Sequence, residues 1–159
     1  MDEKILKYME QDIDHPIYLF HGSCEKIDKV IPHLSHDSDG SSHNIDNAIF
    51  LFPSFLKSTP YAFMNSIIEN SENQDWDFEV PNDSSYPIMR MTNVNIDEDM
   101  VGYIYVFKKE EDMYKDEEHK SSYQYKCYHE LIPIDVVEIR FKDFEQYYEI
   151  VNRANSKKV

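Results

Sequence analysis

The chain has 159 residues with 16 basic and 31 acidic side chains, a formal net charge of -15. That length predicts one domain, or one domain with a tail, able to hide roughly 70% of its unfolded surface without staples. The acidic balance argues against binding a nucleic-acid backbone, which needs a basic surface to displace counterions.

The same charge suits a protein that meets a basic partner, and it leaves a small nucleotide open, because a local pocket can differ in sign from the whole. Twelve Tyr and nine Phe predict a core rich in rings. Cys24 and Cys127 are too few and too far apart for a disulfide framework or a zinc knuckle, so both read as free thiols. Residues 1 to 12 carry no apolar signal core. The longest apolar run, Ala48 to Phe52, is far short of a membrane span. These features predict a cytoplasmic protein with no membrane partner.

Residues 3 to 10 pattern as a short amphipathic helix, broken at Asp14-His15-Pro16 because the residue before proline is pushed out of the α region. Pro16 to Ser23 then reads as a short apolar strand that ends abruptly in His21, Gly22 and Ser23. The chain has only three glycines, and Gly22 permits a positive φ or a close approach of ligand to backbone. The plainer reading is an ordinary turn with His21 as a capping or surface side chain. By period-two alternation His21 shares a face with Ile17 and Leu19. Ile27 to Ile31 continues as a turn or short strand. Residues 33 to 43 form a polar loop in which His33, His36, Asp37, Asp39 and His43 raise the question of a metal. No helical histidine pair and no cysteine joins them, so no metal site is predicted.

Ile45 to Pro53 is a second buried strand. Ser54 to Lys57 reads as a turn, Thr59 as an N-cap and Pro60 as the first residue of a helix reaching about Glu69. Tyr61 then lies in the first turn, with Met64, Asn65 and Ile68 on its stripe. A tyrosine there also reads as core. Asn70 to Ser85 is acidic and without periodicity, long for a loop and so a candidate flap, with Trp76 and Phe78 docking it. Tyr86 to Met91 is a strand. Met100 to Lys108, apolar on both faces, is a central one.

Glu110 to Lys120 is a charged connector. Ser122 to Glu130 alternates, with Gln124, Lys126, Tyr128 and Glu130 on one face. Leu131 to Phe141 continues as a strand, so Glu130 opens a buried element, which is costly unless the carboxylate is paired or used. Asp143 with Gln146 marks the start of a closing helix that buries Phe144, Tyr148 and Val151. The order is α+β, not the regular alternation of a doubly wound sheet. Neither the Rossmann nor the P-loop glycine pattern occurs.

Three pieces in order resemble the His-Tyr-Glu branch (diphtheria-toxin and PARP-like) of the ADP-ribosyltransferase superfamily. They are Tyr18-Leu-Phe-His21-Gly-Ser23, then Ala48-Ile-Phe-Leu-Phe-Pro-Ser54 followed by Tyr61-Ala-Phe63, and Tyr128-His-Glu130-Leu-Ile-Pro-Ile134. The resemblance implies a split, strongly bent antiparallel β-sandwich with peripheral helices, holding NAD as substrate in a cleft. It implies that Gly22 and His21, with Ser23 beside them, hold the nicotinamide amide and a ribose hydroxyl. Tyr61 would stack on nicotinamide, Tyr128 would line the cofactor, and Glu130 would stabilise the cationic ribose of the transition state. The position two before Glu130 is Tyr128, not the Glu or Gln of the arginine-modifying branch, so arginine transfer is not supported. The acceptor of ADP-ribose is unknown.

Two other readings stand beside this one. A non-enzymatic acidic protein could bind NAD without turnover or occupy a basic site as a decoy, although the carboxylates cluster in loops. A metal hydrolase could use His33, His36 and His43. The leading expectation is that His21, Tyr61 and Glu130 converge on one cleft, with residues 70 to 85 as its flap.

Overall fold

The computed structural model of the chain describes residues 2–34, 47–69, 75–79, 87–92, 97–115 and 124–152. At its centre β6 (Val101–Lys108) pairs antiparallel with β1 (Tyr18–Ser23) on one edge and β9 (Asp135–Arg140) on the other. Both faces of β6 are buried, as its unbroken apolar run predicts. Ile104 and Val106 point into one apolar cluster, Tyr105 and Phe107 into another.

The first cluster is closed by helices. Ile5 comes from α1 (Glu3–Met9), Phe55, Phe63 and Ile67 from α2 (Phe55–Glu69), and Phe141 and Phe144 from α3 (Phe141–Phe144). Helix α1 is capped by Asp2, whose carboxylate accepts from the Lys4 amide at 2.9 Å, the usual solution for an orphan N–H. The ring of Tyr8 docks it against Tyr18, Phe20 and Phe55. Burial, then the bond to Asp135, pushes the Tyr8 hydroxyl up to about 12.

The second cluster is closed by another sheet. Its strands run in the order β2 (His33–Leu34), β3 (Asn47–Leu51), β8 (Tyr125–Cys127), β7 (Tyr114–Lys115), each pair antiparallel. Ile49, Leu51, Tyr125 and Cys127 meet Leu19, Tyr105 and Phe107 across the core. The fold is therefore α+β, with two antiparallel sheets sharing one apolar layer. A third sheet pairs β4 (Asp75–Glu79) antiparallel with β5 (Ile88–Thr92), and β5 parallel with β10 (Glu149–Asn152). That parallel pair departs from the all-antiparallel expectation. It is possible because a long connection separates its two strands.

Helix α2 begins at Phe55, not at Pro60. Ser54 caps it, its hydroxyl accepting from the Lys57 amide at 3.1 Å. Thr59 and Pro60 are interior. Proline cannot donate to the carbonyl four residues back, that of Leu56. The Thr59 hydroxyl donates to that carbonyl instead, at 2.7 Å, and is itself bonded to the hydroxyl of Tyr148. Threonine followed by proline thus looked like a helix start and is an internal repair.

The expected closing helix is likewise corrected. Asp143 lies inside the single turn of α3, a 3-10 turn follows at Glu145–Tyr147, and the chain then extends into β10. Phe144 and Tyr148 are buried as expected, but Tyr148 is anchored on Thr59 and the backbone beyond it pairs with β5. Tertiary pairing overrides the capping signal. Part of the expected flap is strand β4; residues 70–74 and 80–85 lie outside the described residues. His33 and Leu34 pair with β3 where a loop was expected, and residues 36, 37, 39 and 43 lie outside the described residues. Among the described residues no three His, Cys, Asp or Glu side chains are grouped to hold a metal, and no helix is long and apolar enough to cross a membrane.

Thr59→Val leaves both the Leu56 carbonyl and the Tyr148 hydroxyl without this partner, at a position that is itself fully buried. It should cost about 2–4 kcal/mol, whereas Tyr148→Phe, which leaves the repair of Leu56 in place, should cost about 1 kcal/mol. Urea unfolding of the two variants checks this; equal losses would remove Thr59 from the repair.

Candidate functional site

The site begins with a close helix–sheet contact. A Cβ on Gly22 would fall 2.4 Å from the Ser58 carbonyl oxygen and 2.9 Å from the Ala62 nitrogen. A Cβ on Gly102, on the neighbouring strand, would fall 2.5 Å from the Ala62 carbonyl oxygen. Only glycine at both positions lets α2 lie this low over β1 and β6. The same approach puts the Cβ of Tyr61 3.1 Å from that Gly22 position. Tyr61 is therefore delivered to the end of β1, from the second turn of α2. Its ring stacks on Phe52 with centroids 5.0 Å apart and planes at 22°.

The backbone at Gly22 opens a seam between the two sheets. Phe20 and Phe52 exchange both backbone hydrogen bonds, at 2.8 and 2.9 Å. Two residues on, Gly22 turns its N–H and C=O to the same edge, and an antiparallel ladder would pair it with Phe50. That pair does not form; Phe20–Phe52 is an isolated bridge. The Phe50 carbonyl accepts instead from Nδ1 of His21 at 2.9 Å. The imidazole thus wedges the sheets apart at the point where Gly22 presents a backbone donor and acceptor.

Gln11, which the sequence did not single out, ties the start of the same seam. Its amide donates to the Tyr18 and Pro53 carbonyls and accepts from the Ile17 and Tyr18 amides, all at 2.7 to 3.0 Å.

Glu130 is placed differently from expectation. Strand β8 ends at Cys127 and β9 starts only at Asp135, with Pro133, which cannot donate to a ladder, between them. Tyr128 and Glu130 are exposed, and Ile132 and Ile134 are 77% and 59% exposed, so no buried strand opens at Glu130. Its carboxylate is 57% exposed and lies 3.1 Å from Nζ of Lys29. Leu131 holds the segment by exchanging both backbone bonds with Val30, at 2.8 and 2.9 Å. Tyr128 lies beside Tyr114, ring centroids 6.5 Å apart.

His21, Gly22, Ser23 and Tyr61 are therefore gathered at one seam. Glu130 is tied to them at one remove, through Lys29 and Val30 on the segment that leaves β1. Lys29 carried no motif, and its role was invisible without the Val30–Leu131 pairing. No protein-family model, curated protein or solved structure matches the chain.

His129 braces the Glu130 segment. Its Nδ1 donates to the Glu130 carbonyl at 2.9 Å and its Nε2 to the Asp112 carboxylate. Two acceptors on two ring nitrogens require the imidazolium. The Glu130 carbonyl first, and the Asp112 carboxylate second, hold the His129 pKa above its usual value. A raised folded-state pKa contributes stability fully below the unfolded value of about 6.5, and that contribution is lost as pH rises through the folded value. Imidazole NMR titration should therefore place the His129 midpoint above that of a free histidine, and Asp112→Asn should lower it. A midpoint unmoved by Asp112→Asn would contradict the brace.

Proposed function

We propose that the chain is an NAD-binding ADP-ribosyltransferase-like protein that cleaves the bond between nicotinamide and ribose and passes ADP-ribose to an acceptor or to water. The observation that carries this reading is the opened seam at Gly22. A primary carboxamide offers one acceptor and a donor side by side. It can pair with the Gly22 N–H and C=O as an added strand would. Tyr61, packed against Gly22, offers a ring on which the nicotinamide can lie. His21, next to Gly22, is the side chain set to meet a ribose hydroxyl. Two antiparallel sheets that share a core and part at this seam suit the split, bent sandwich of that family.

In this reading the protein's work is placement and electrostatics. Fixing the leaving group on Gly22 and Tyr61 removes rotational freedom before the bond breaks. As nicotinamide departs with the bonding pair, positive charge develops on the ribose carbon, and a carboxylate set beside it favours that charge. Glu130 is the candidate carboxylate. The ion pair with Lys29 favours a second reading, in which the protein holds NAD and does not cleave it, because the ammonium already occupies the carboxylate.

Two measurements separate these readings. Saturating NAD should raise the melting temperature, since at a hundredfold excess over Kd a ligand bound only by the folded state adds about 2.7 kcal/mol. Glu130→Gln should slow nicotinamide release roughly a hundredfold or more and change NAD affinity far less. Binding without release by the wild type would establish the second reading. No thermal shift at all would remove NAD from the account.

A further inference from the structure

Tyr105 sits in the middle of β6, directly opposite His21 in the β1–β6 register, with ring centroids 6.5 Å apart. The ring is wholly buried, yet its hydroxyl does not end in the core. It donates to the Glu25 carbonyl at 2.6 Å and accepts from the Ile27 amide at 2.7 Å. Both functions of the hydroxyl are spent on the main chain of the segment that leaves the His21-Gly22-Ser23 end of β1. That segment, Glu25 to Lys29, is exposed and lies in no helix or strand. Its far end carries Lys29, which meets Glu130, and Val30, which pairs with Leu131.

Ordering an exposed segment costs about 1–2 kcal/mol per residue in backbone entropy. Between its two ends the anchors from the core are these two hydrogen bonds. Burial raises the Tyr105 pKa above its ordinary value, so the hydroxyl keeps its proton and remains a donor at neutral pH.

We propose that Tyr105 is the positioning residue of the candidate site: by holding Glu25 and Ile27 it sets the path of the chain from His21 to Glu130, and so the spacing of the two ends across which a ligand must lie. It lies beside His21 in the β1–β6 ladder, and its hydroxyl reaches the Glu130 end only through the segment. The ligand half of this inference rests on the NAD reading; the half concerning the segment does not.

Tyr105→Phe keeps the ring and removes only the hydroxyl. Two readouts on the folded full chain test it. Cys127 is fully buried, so a thiol reagent such as Ellman's reports on Cys24, the first residue after β1. Loss of two hydrogen bonds should speed Cys24 labelling about tenfold or more and weaken NAD binding by a similar factor. Amide protection at Leu19 to His21 should stay intact. A purely structural role would lower the melting temperature without moving the NAD affinity of the folded protein.

Unchanged labelling would overturn the proposal, as would faster labelling with unchanged NAD affinity. If the wild type binds no NAD, the proposed function falls, and the labelling arm alone decides whether Tyr105 positions the segment. Should Tyr105→Phe fail to fold, wild-type hydrogen exchange decides. The Ile27 amide should be protected relative to those of Lys26 and Asp28, and exchange at their rate would overturn the proposal.

Discussion

The candidate site depends on how low α2 lies over β1 and β6. Gly22 and Gly102 are on adjacent strands and face the same helix, where any side chain atom would strike the backbone at Ser58 or Ala62. A helix seated on ordinary side chains would ride higher, and Tyr61 would lose its contact with the end of β1. The glycines therefore matter for what they omit. Overpacking a tight contact of this kind forces backbone shifts costing about 1–3 kcal/mol, so the constraint belongs to the fold as much as to the site.

From that seating the rest follows in order. Tyr61 reaches Gly22, Phe52 supports its ring, and the Phe20–Phe52 bridge joins β1 to the end of β3 two residues before Gly22. His21 then claims the Phe50 carbonyl that a continuing ladder would have used. A backbone edge is left at Gly22, flanked by an imidazole and a phenol. Tyr105, Lys29 and Val30 carry the chain from this edge to Glu130.

Much of this was legible in the sequence, and the reasons differ by element. The run from Val101 to Lys108 announced a strand buried on both faces, because only a central strand tolerates apolar residues at every position. The abrupt change from Leu19-Phe20 to His21-Gly22-Ser23 marked the strand end. What misled were local signals that tertiary contacts reassigned. Thr59 before Pro60 has the chemistry of a helix start and serves as an internal repair. Asp143 and Gln146 match a cap, yet the chain turns into β10 because Tyr148 is held by Thr59 and its successors pair with β5. Glu130 fell on the apolar parity of its neighbours, but Pro133 and the exposed Ile132 and Ile134 show that no buried strand runs there. Gln11 and Tyr105 act through main-chain groups and Lys29 through the Glu130 carboxylate, and such partners leave no pattern along the chain.

The account stands or falls on what the opened edge at Gly22 holds. A crystal structure of the full chain with NAD addresses this directly. The account predicts the nicotinamide carboxamide on the Gly22 N–H and C=O, its ring against Tyr61, and the adjoining ribose between His21 and Glu130. NAD bound elsewhere with the Gly22 edge untouched would contradict it, as would a Gly22 edge closed by pairing with Phe50.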